Sequence, residues 1–568
     1  MKSFCKSTLL VLMFGVMTML PIGKASAQSL PEPAVVISVA KFKEQMSDVN
    51  YLLTASGFAQ MKFMAGAMVK GYTKGIDEGK DAGVLLYFNE GSEVPDFLGF
   101  VPVTDIEEML DVVAQFAEVE ENDGLTTIIA DSGVELMIKE QDGFAFMSNN
   151  KSMFDELPDN PIQLLGKLPE NYNLSAKIFA QRVPEEMRNG LIELIRQSSE
   201  DTFDSFGDDL QTEVQQKNLE MQMKQMEMLL NDADSLTIGM RADQNKKTMF
   251  MDVEFTGLPN SELAVRMAQS TPDKGSRFSG FVMEGSTFST VMCAAMVKED
   301  AEQYSTMLND LKNTVITEMD QDGDMSDQEI ATIKKSMNSL VDVVNQTMSE
   351  GLLDMGAVIM LEDGEMNFAG GIQVSNPAKL ESTVKDLVGM IEGKMGDEIE
   401  VNLNSGSHKN ITLHEIVIQV PEGEDEMRDA LGDQLTLIIG VGKKEVYLAG
   451  GSNPVELLKK AVDSTSVDNK TVDELMESNS DKTEKVLSMY SLNISPILAF
   501  AAKMEGDPSV EMMAEALQKA GNDRMSMTSS LVENGFKMQF QMQDGILGLI
   551  KVGFDAFQGG GGFPTDDF

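Results

Sequence analysis

Tryptophan is absent from this 568-residue chain, and histidine occurs only at His408 and His414. The missing indoles remove the flat amphipathic platforms that polar ligands such as sugars stack on, so carbohydrate recognition is disfavoured. Two histidines six residues apart, with no G-x-S-x-G elbow anywhere, leave hydrolysis by a histidine-activated serine without support. S-x-x-K occurs at 38–41, 148–151 and 382–385, each time unaccompanied. His408 reads as a loop residue and His414 as a strand residue beside Glu415.

Cysteine is nearly missing as well. Cys5 and Cys293 are the only two, and Cys5 lies ahead of the first apolar run, where no lipid-attachment cysteine belongs. Stability must therefore come from core packing rather than disulfides. Long apolar runs are also lacking. The one at residues 8–20 spans 13 positions, short of the roughly 20 that a membrane helix needs. Lys2 and Lys6 precede it and Ala25-Ser26-Ala27 follows it, so residues 1–27 read as a cleavable export signal and the mature chain as secreted or periplasmic.

Basic residues are scarce: 45 Lys and Arg face 92 Asp and Glu. Removing Lys2, Lys6 and Lys24 with the signal leaves 42 against 92, a net charge near −50. Such a field repels nucleic acid and anionic lipid surfaces, and favours a solvated acidic surface or a cationic partner.

What is abundant is methionine, 44 residues, and a recurring pattern. Residues 435–460 read as strand, tight turn at Gly442-Lys443-Lys444, strand and helix. Asn453 is a candidate N-cap, Pro454 suits the first helical position, and Glu456 completes a capping box. The same hairpin-plus-helix unit is legible at 97–113 and 368–384, at 143–157 and 445–461, and in the hairpins 236–255 and 525–542. These matches come in the same order before and after residues 270–276, a Pro- and Gly-containing stretch without apolar periodicity that reads as a linker. The expected organisation is a signal at 1–27, a first α+β half at 28–275, a second at 276–558 and a disordered tail at 559–568.

The closing hairpins set the expected architecture. Met249, Met251, Val253 and Phe255 alternate with Thr248, Asp252 and Glu254, with Phe250 as the exception. Phe536, Met538, Phe540 and Met542 alternate with Lys537, Gln539 and Gln541. Period-two alternation predicts an antiparallel sheet with one packed and one wet face. Each of two tandem halves is thus expected to be its own antiparallel sheet, with amphipathic helices over the apolar face.

Two stretches resemble metal sites. Residues 320–329 begin D-x-D-x-D, like the calcium loop of EF-hand proteins, between two helices. Met325 then stands where the turn needs Gly, and Ala331 where a bidentate Glu should close the shell, so a helix-capping interruption fits better. Met221, Met223, Met226 and Met228 are soft thioether ligands suited to Cu(I), but 223 and 226 lie to one side of the face shared by 221 and 228, as in a helix packing an adaptable core.

The segments 97–113, 143–157, 368–384 and 445–461, with hairpins ending in Gly-Ser-like turns before capped helices, resemble those of large, secreted, internally duplicated bacterial proteins classed as domains of unknown function. That resemblance implies no active-site residues. No catalytic, cofactor-binding or metal residue and no cofactor is assigned. The expected function is a non-enzymatic extracytoplasmic binding or structural protein, its partner a small apolar ligand or an envelope protein; the alternative is metal buffering by the Met cluster or the acidic loop.

Overall fold

The computed structural model describes residues 32–552 apart from 89–94, 123, 130–134, 205–212, 273, 322–325, 363, 421–427, 429–431, 465–484 and 507. The export signal and the tail at 559–568 lie outside the described residues, as does the middle of the calcium-like stretch.

Among the described residues, twenty strands form a single hydrogen-bonded sheet. The first ten are β1 (Val35–Val39), β2 (Ala82–Tyr87), β3 (Asp96–Pro102), β4 (Glu118–Asn122), β5 (Leu125–Ile129), β6 (Glu135–Gln141), β7 (Phe144–Ser148), β8 (Leu174–Phe179), β9 (Ala233–Asp243) and β10 (Thr248–Gly257). The second ten are β11 (Phe288–Ala295), β12 (Leu352–Glu362), β13 (Glu365–Gln373), β14 (Ile399–His408), β15 (Ile411–Gln419), β16 (Gln434–Val441), β17 (Glu445–Gly451), β18 (Lys485–Asn493), β19 (Arg524–Val532) and β20 (Gly535–Gln543).

The pairings place them in the order β4-β5-β6-β7-β3-β2-β1-β8-β9-β10 and then β20-β19-β18-β11-β12-β13-β17-β16-β15-β14, every neighbour antiparallel. Adding ten to each label of the first run reproduces the second run read from the opposite edge. At the seam β10 pairs with β20 from Thr248↔Gln543 to Thr256↔Gly535.

This corrects the expectation of a separate sheet in each half. Each closing hairpin ends in a strand whose outer edge carries unpaired N–H and C=O groups, and such an edge is stable only when covered or paired. Here each edge pairs with the other, and one sheet results. The stretch 270–276, read as a linker, is tied down on the sheet. The Ala295 N–H donates to the Ser270 carbonyl, and the Ser276 hydroxyl and the Arg277 N–H both donate to buried Asp354.

Helices interrupt both runs at equivalent points. The β1–β2 connection holds α1 (Phe42–Ala55) and α2 (Lys62–Tyr72), and the β3–β4 connection holds α3 (Ile106–Val113). Short α4 (Leu168–Asn171) precedes β8, α5 (Glu185–Asp204) and α6 (Glu213–Asp232) precede β9, and α7 (Glu262–Gln269) follows β10. In the second run α8 (Lys298–Gln321) and α9 (Asp327–Ser349) precede β12, and α10 (Pro377–Met395) precedes β14. Then α11 (Pro454–Asp463) precedes β18, and α12 (Ile494–Glu505) and α13 (Pro508–Ala520) precede β19.

The starts follow local chemistry. Asp105 caps α3 by accepting from the Glu108 N–H, Asn376 caps α10 by accepting from the Lys379 N–H, and Ser326 and Glu329 form a reciprocal capping box at α9. At α11 Pro454 is first as expected, but there is no capping box. Asn453 gives its side-chain N–H to Glu456, and its backbone N–H to the Asn367 side-chain oxygen.

Both faces of the sheet are packed at its wings. One, the back face, carries Phe100, Phe146 and Leu165 in the first run, and Phe278, Val358 and Tyr447 beneath α11 in the second. The other, the front face, packs Met109 of α3 on Phe97, Val101 and Ile138 at one wing, and Val388 of α10 on Ile399 and Ile416 at the other.

Candidate functional site

Between the wings the two faces of the sheet part company in an unexpected sense. On the back face, cross-strand register aligns Ser175, Gly239, Asp252, Gln539 and Thr528 over five adjacent strands from β8 to β19. All five are buried, Asp252 to 3% exposure and Gln539 to 2%. On the front face the same strands present Ile238 at 38%, Met240 at 52%, Phe540 at 36% and Met525 at 42% exposure. Alternation between polar and apolar side chains is as expected, but the polar side is the covered one and the apolar side is half open. The packed-apolar, wet-polar assignment is corrected accordingly.

The reason lies in what meets the back face. Tyr172, at the C-terminal end of α4, lies flat against Gly239, where an added Cβ would fall 2.4 Å from ring carbons. Its hydroxyl donates to Asp252 Oδ2 at 3.0 Å, Gln539 Nε2 donates to Asp252 Oδ1 at 2.9 Å, and Lys537 Nζ lies 3.2 Å from Oδ2. Gln541 in turn donates to Gln539 Oε1 at 2.6 Å. A buried carboxylate is tolerated when a cation and hydrogen bonds meet its lone pairs. Because Asp252 belongs to β10 and Lys537 and Gln539 belong to β20, these contacts lock the register across the seam.

The front face is bounded rather than filled. At one end of the seam Phe255 and Phe536 stack with ring centroids 5.8 Å apart. At the other, Tyr51 of α1 donates to Asp544 Oδ2 at 2.8 Å, and burial followed by that carboxylate holds the phenol well above its usual range. In the second run Ile372 of β13 and Leu448 of β17 stand on the same face, 37% and 48% exposed. Beyond Leu361 a cleft of about 710 Å³ opens beside α12 and α13, lined by Pro496, Ala499, Phe500, Lys503 and Glu515.

The residues singled out from the sequence do not converge. His408 pairs with Ile411 in register and faces α11, its Nε2 2.8 Å from Asp463 Oδ1, which Lys409 also meets at 2.7 Å. His414 lies on the opposite face under α10 and is buried. Its Nδ1 accepts the Asn404 N–H at 3.1 Å, which places the proton on Nε2, 3.3 Å from Glu381 Oε1 but without hydrogen-bond alignment. Burial, then the charge of Lys385, holds this imidazole below its ordinary value, so the ring is neutral.

In the S-x-x-K stretches Lys41 meets Glu44, Ser148 donates to the Phe97 carbonyl and Lys385 meets Glu381, while the Ser38 hydroxyl is buried without a hydrogen-bond partner. Cys293 is buried opposite Asp354, and desolvation pushes its thiol up to about 11, which leaves it protonated and unreactive. Met223, Met226 and Met228 are half-buried along α6, and the Met221 side chain lies outside the described residues. Among the described residues no group of three or more His, Cys, Asp and Glu is placed to hold a metal ion, and no helix is long and apolar enough to cross a membrane.

The front face was half legible: its alternation is in the sequence, its exposure is not. No family model, no curated protein and no solved structure matches the chain.

Proposed function

We propose that this protein is a non-enzymatic, extracytoplasmic binding protein, grown by duplication of a ten-strand unit, and that it takes an apolar ligand on the half-open front face. The observation that carries the reading is the reversed burial at the seam. A sheet with only solvent to face would leave Asp252, Lys537, Gln539 and Thr528 wet and cover its Met, Ile and Phe side chains. This one does the opposite, and contiguous open apolar surface of that kind marks a binding surface. The repeated pairing order supports duplication, and the charged start, short apolar run and A-x-A site of residues 1–27 support export.

The energetics suit a flexible chain. An alkyl segment that buries ten methylenes gains about 8 kcal/mol at ~0.8 kcal/mol each, the scale of a micromolar complex before ordering costs are subtracted. Methionine side chains adapt to such a ligand without fixing one shape. The net charge of −47 disfavours anionic head groups, so the ligand is neutral or cationic.

The test is titration with the neutral fluorophore 1-N-phenylnaphthylamine, alongside solvent extraction and mass spectrometry of the freshly purified protein. Saturable fluorescence is expected, falling at least tenfold in affinity in Ile238→Lys/Phe540→Lys with an unchanged circular dichroism spectrum. No extractable lipid and no saturable uptake, or equal uptake by the double variant, overturns the reading.

A further inference from the structure

Residues 49–76 hold no aspartate or glutamate, in a chain where 92 of 568 residues are acidic. Their only charged residues are Lys62, Lys70 and Lys74. The equivalent connection in the second run keeps its acids: α8 alone carries Glu299, Asp300, Glu302, Asp310 and Glu318. The acid-free stretch holds α2, and α2 turns an apolar face outward. None of its residues is fully buried. Its exposed residues are Phe63 at 87%, Met64 at 43%, Ala67, Lys70 and Gly71. Positions 63, 67 and 70 fall on one helical stripe, with 64 and 71 beside it. We propose that this face of α2 docks on the surface of an anionic phospholipid bilayer.

Length and charge both select that partner. An 11-residue helix is roughly 16 Å long, about half the apolar thickness of a bilayer, so α2 lies in the headgroup region and does not cross it. A short helix with Phe and Met on one face and lysines at its margins suits that position: the apolar side chains enter the acyl boundary. The lysine stems follow them while the ammonium groups reach the phosphates. Among the described residues Lys62, Lys70 and Lys74 have no ion-pair partner that would compete.

The acidity of the rest of the chain does not cancel this attraction. The first acids after the helix are engaged, Asp77 with Lys80 at 3.1 Å and Glu78 with the Thr73 hydroxyl at 2.7 Å. The field of more distant acids fades over about 8 Å at physiological ionic strength, so the lysines of α2 decide the contact. The helix is also tied to the folded body. Tyr72 packs on Phe116 with ring centroids 5.8 Å apart, and Ile76 bridges to Val103 just beyond β3. This surface is separate from Ile238, Met240 and Phe540 of the sheet, and it stands whether or not those side chains bind a ligand.

The experiment is co-sedimentation with phosphatidylglycerol vesicles and with phosphatidylcholine vesicles at physiological ionic strength. It uses the chain without residues 1–27, whose own apolar run would otherwise bind lipid. Binding at least tenfold tighter to the anionic vesicles is expected. Phe63→Glu/Met64→Glu should abolish it. Lys70→Glu/Lys74→Glu should weaken it at least tenfold, since each lysine near such a surface is worth roughly fivefold. These side chains are exposed, so both variants should keep the circular dichroism spectrum and urea midpoint of the parent. No binding, equal binding to the two kinds of vesicle, or undiminished binding in either variant overturns the proposal. Self-association of the parent that Phe63→Glu/Met64→Glu abolishes, without vesicle binding, assigns the face to a second copy and overturns it as well.

Discussion

Asp252→Ala is the sharpest probe of the seam. It deprives Lys537, 6% exposed at its side chain, of a carboxylate 3.2 Å away, and removes the acceptor used by the Tyr172 hydroxyl and the Gln539 amide. Breaking one side of a buried ion pair costs about 3–5 kcal/mol, and each lost hydrogen bond adds about 1 kcal/mol. The total expected is about 5–7 kcal/mol. Unfolding entropy near 2.1 cal/mol/K per residue makes a body of this size shift by about 1 °C per kcal/mol, so the midpoint should fall by about 5–7 °C if the sheet melts as one unit. The partner variant Lys537→Met leaves Asp252 with its two hydrogen bonds but no cation, and should cost about 3 kcal/mol or more. The double variant Asp252→Asn/Lys537→Met removes both charges while keeping a side-chain amide for Tyr172 and Gln539, and should cost clearly less than the sum of the single changes. Urea and thermal unfolding of the parent, Asp252→Asn, Lys537→Met and the double variant close the cycle, with Asp252→Ala read beside it. Single changes that each cost under 1 kcal/mol, or costs that simply add, refute the claim that this pair holds the two runs in register.

Three further outcomes follow from the geometry. Gly239→Ala forces a methyl to within 2.4 Å of the Tyr172 ring; overpacking of this kind costs about 1–3 kcal/mol, and a variant as stable as the parent in urea contradicts the stacking. Ser326→Ala removes the capping box of α9 and should lower stability by about 1 kcal/mol, read as a small shift in the urea midpoint. His414 is held below 6.5 by burial, so the unfolded chain takes up this proton at a higher pH than the folded one. The stability it contributes is therefore present above pH 6.5 and lost as pH falls through the folded value. With only two histidines in the chain, an NMR titration beside His414→Gln identifies the ring, and a midpoint at or above 6.5 rules out the assignment.

Much of the local structure was written plainly in the sequence, because turns and caps are local chemistry. Asp142-Gly143 and Asn534-Gly535 hold positive φ at Asp142, Gly143 and Asn534, as tight hairpins demand, and Asp105 and Asn376 cap the helices that they precede. Two strands escaped. They are β4, EVEEN, and β14, IEVNLNSGSH, and they are the two ends of the sheet. Their missing alternation has a cause: an edge strand is protected against further pairing by charge and irregularity rather than by a packed face. Glu118, Glu120 and Glu121 are exposed on β4, and β14 breaks register between Asn402 and Gly406 with Asn404 at φ 57.

The same logic explains why β10 and β20 were read as two endings when they are one middle. Neither carries the devices of an edge: no proline, no bulge within the shared register, and a face of Met, Val and Phe that gains by extension. The charged groups that face each other near the seam, Asp252 and Glu254 on β10 and Lys537 on β20, are complementary across the strands rather than repulsive. A strand whose sequence forbids nothing on its open side is a strand that expects a neighbour. Here the neighbour lies 287 positions away, between Asp252 and Gln539, beyond the reach of any periodicity. Alternation along a strand says which side chains share a face, but only the partner across the edge and the cover above decide which face meets water. That is why the order of strands follows from pairing chemistry, while the open methionine face, on which the proposed function rests, had to be seen in three dimensions.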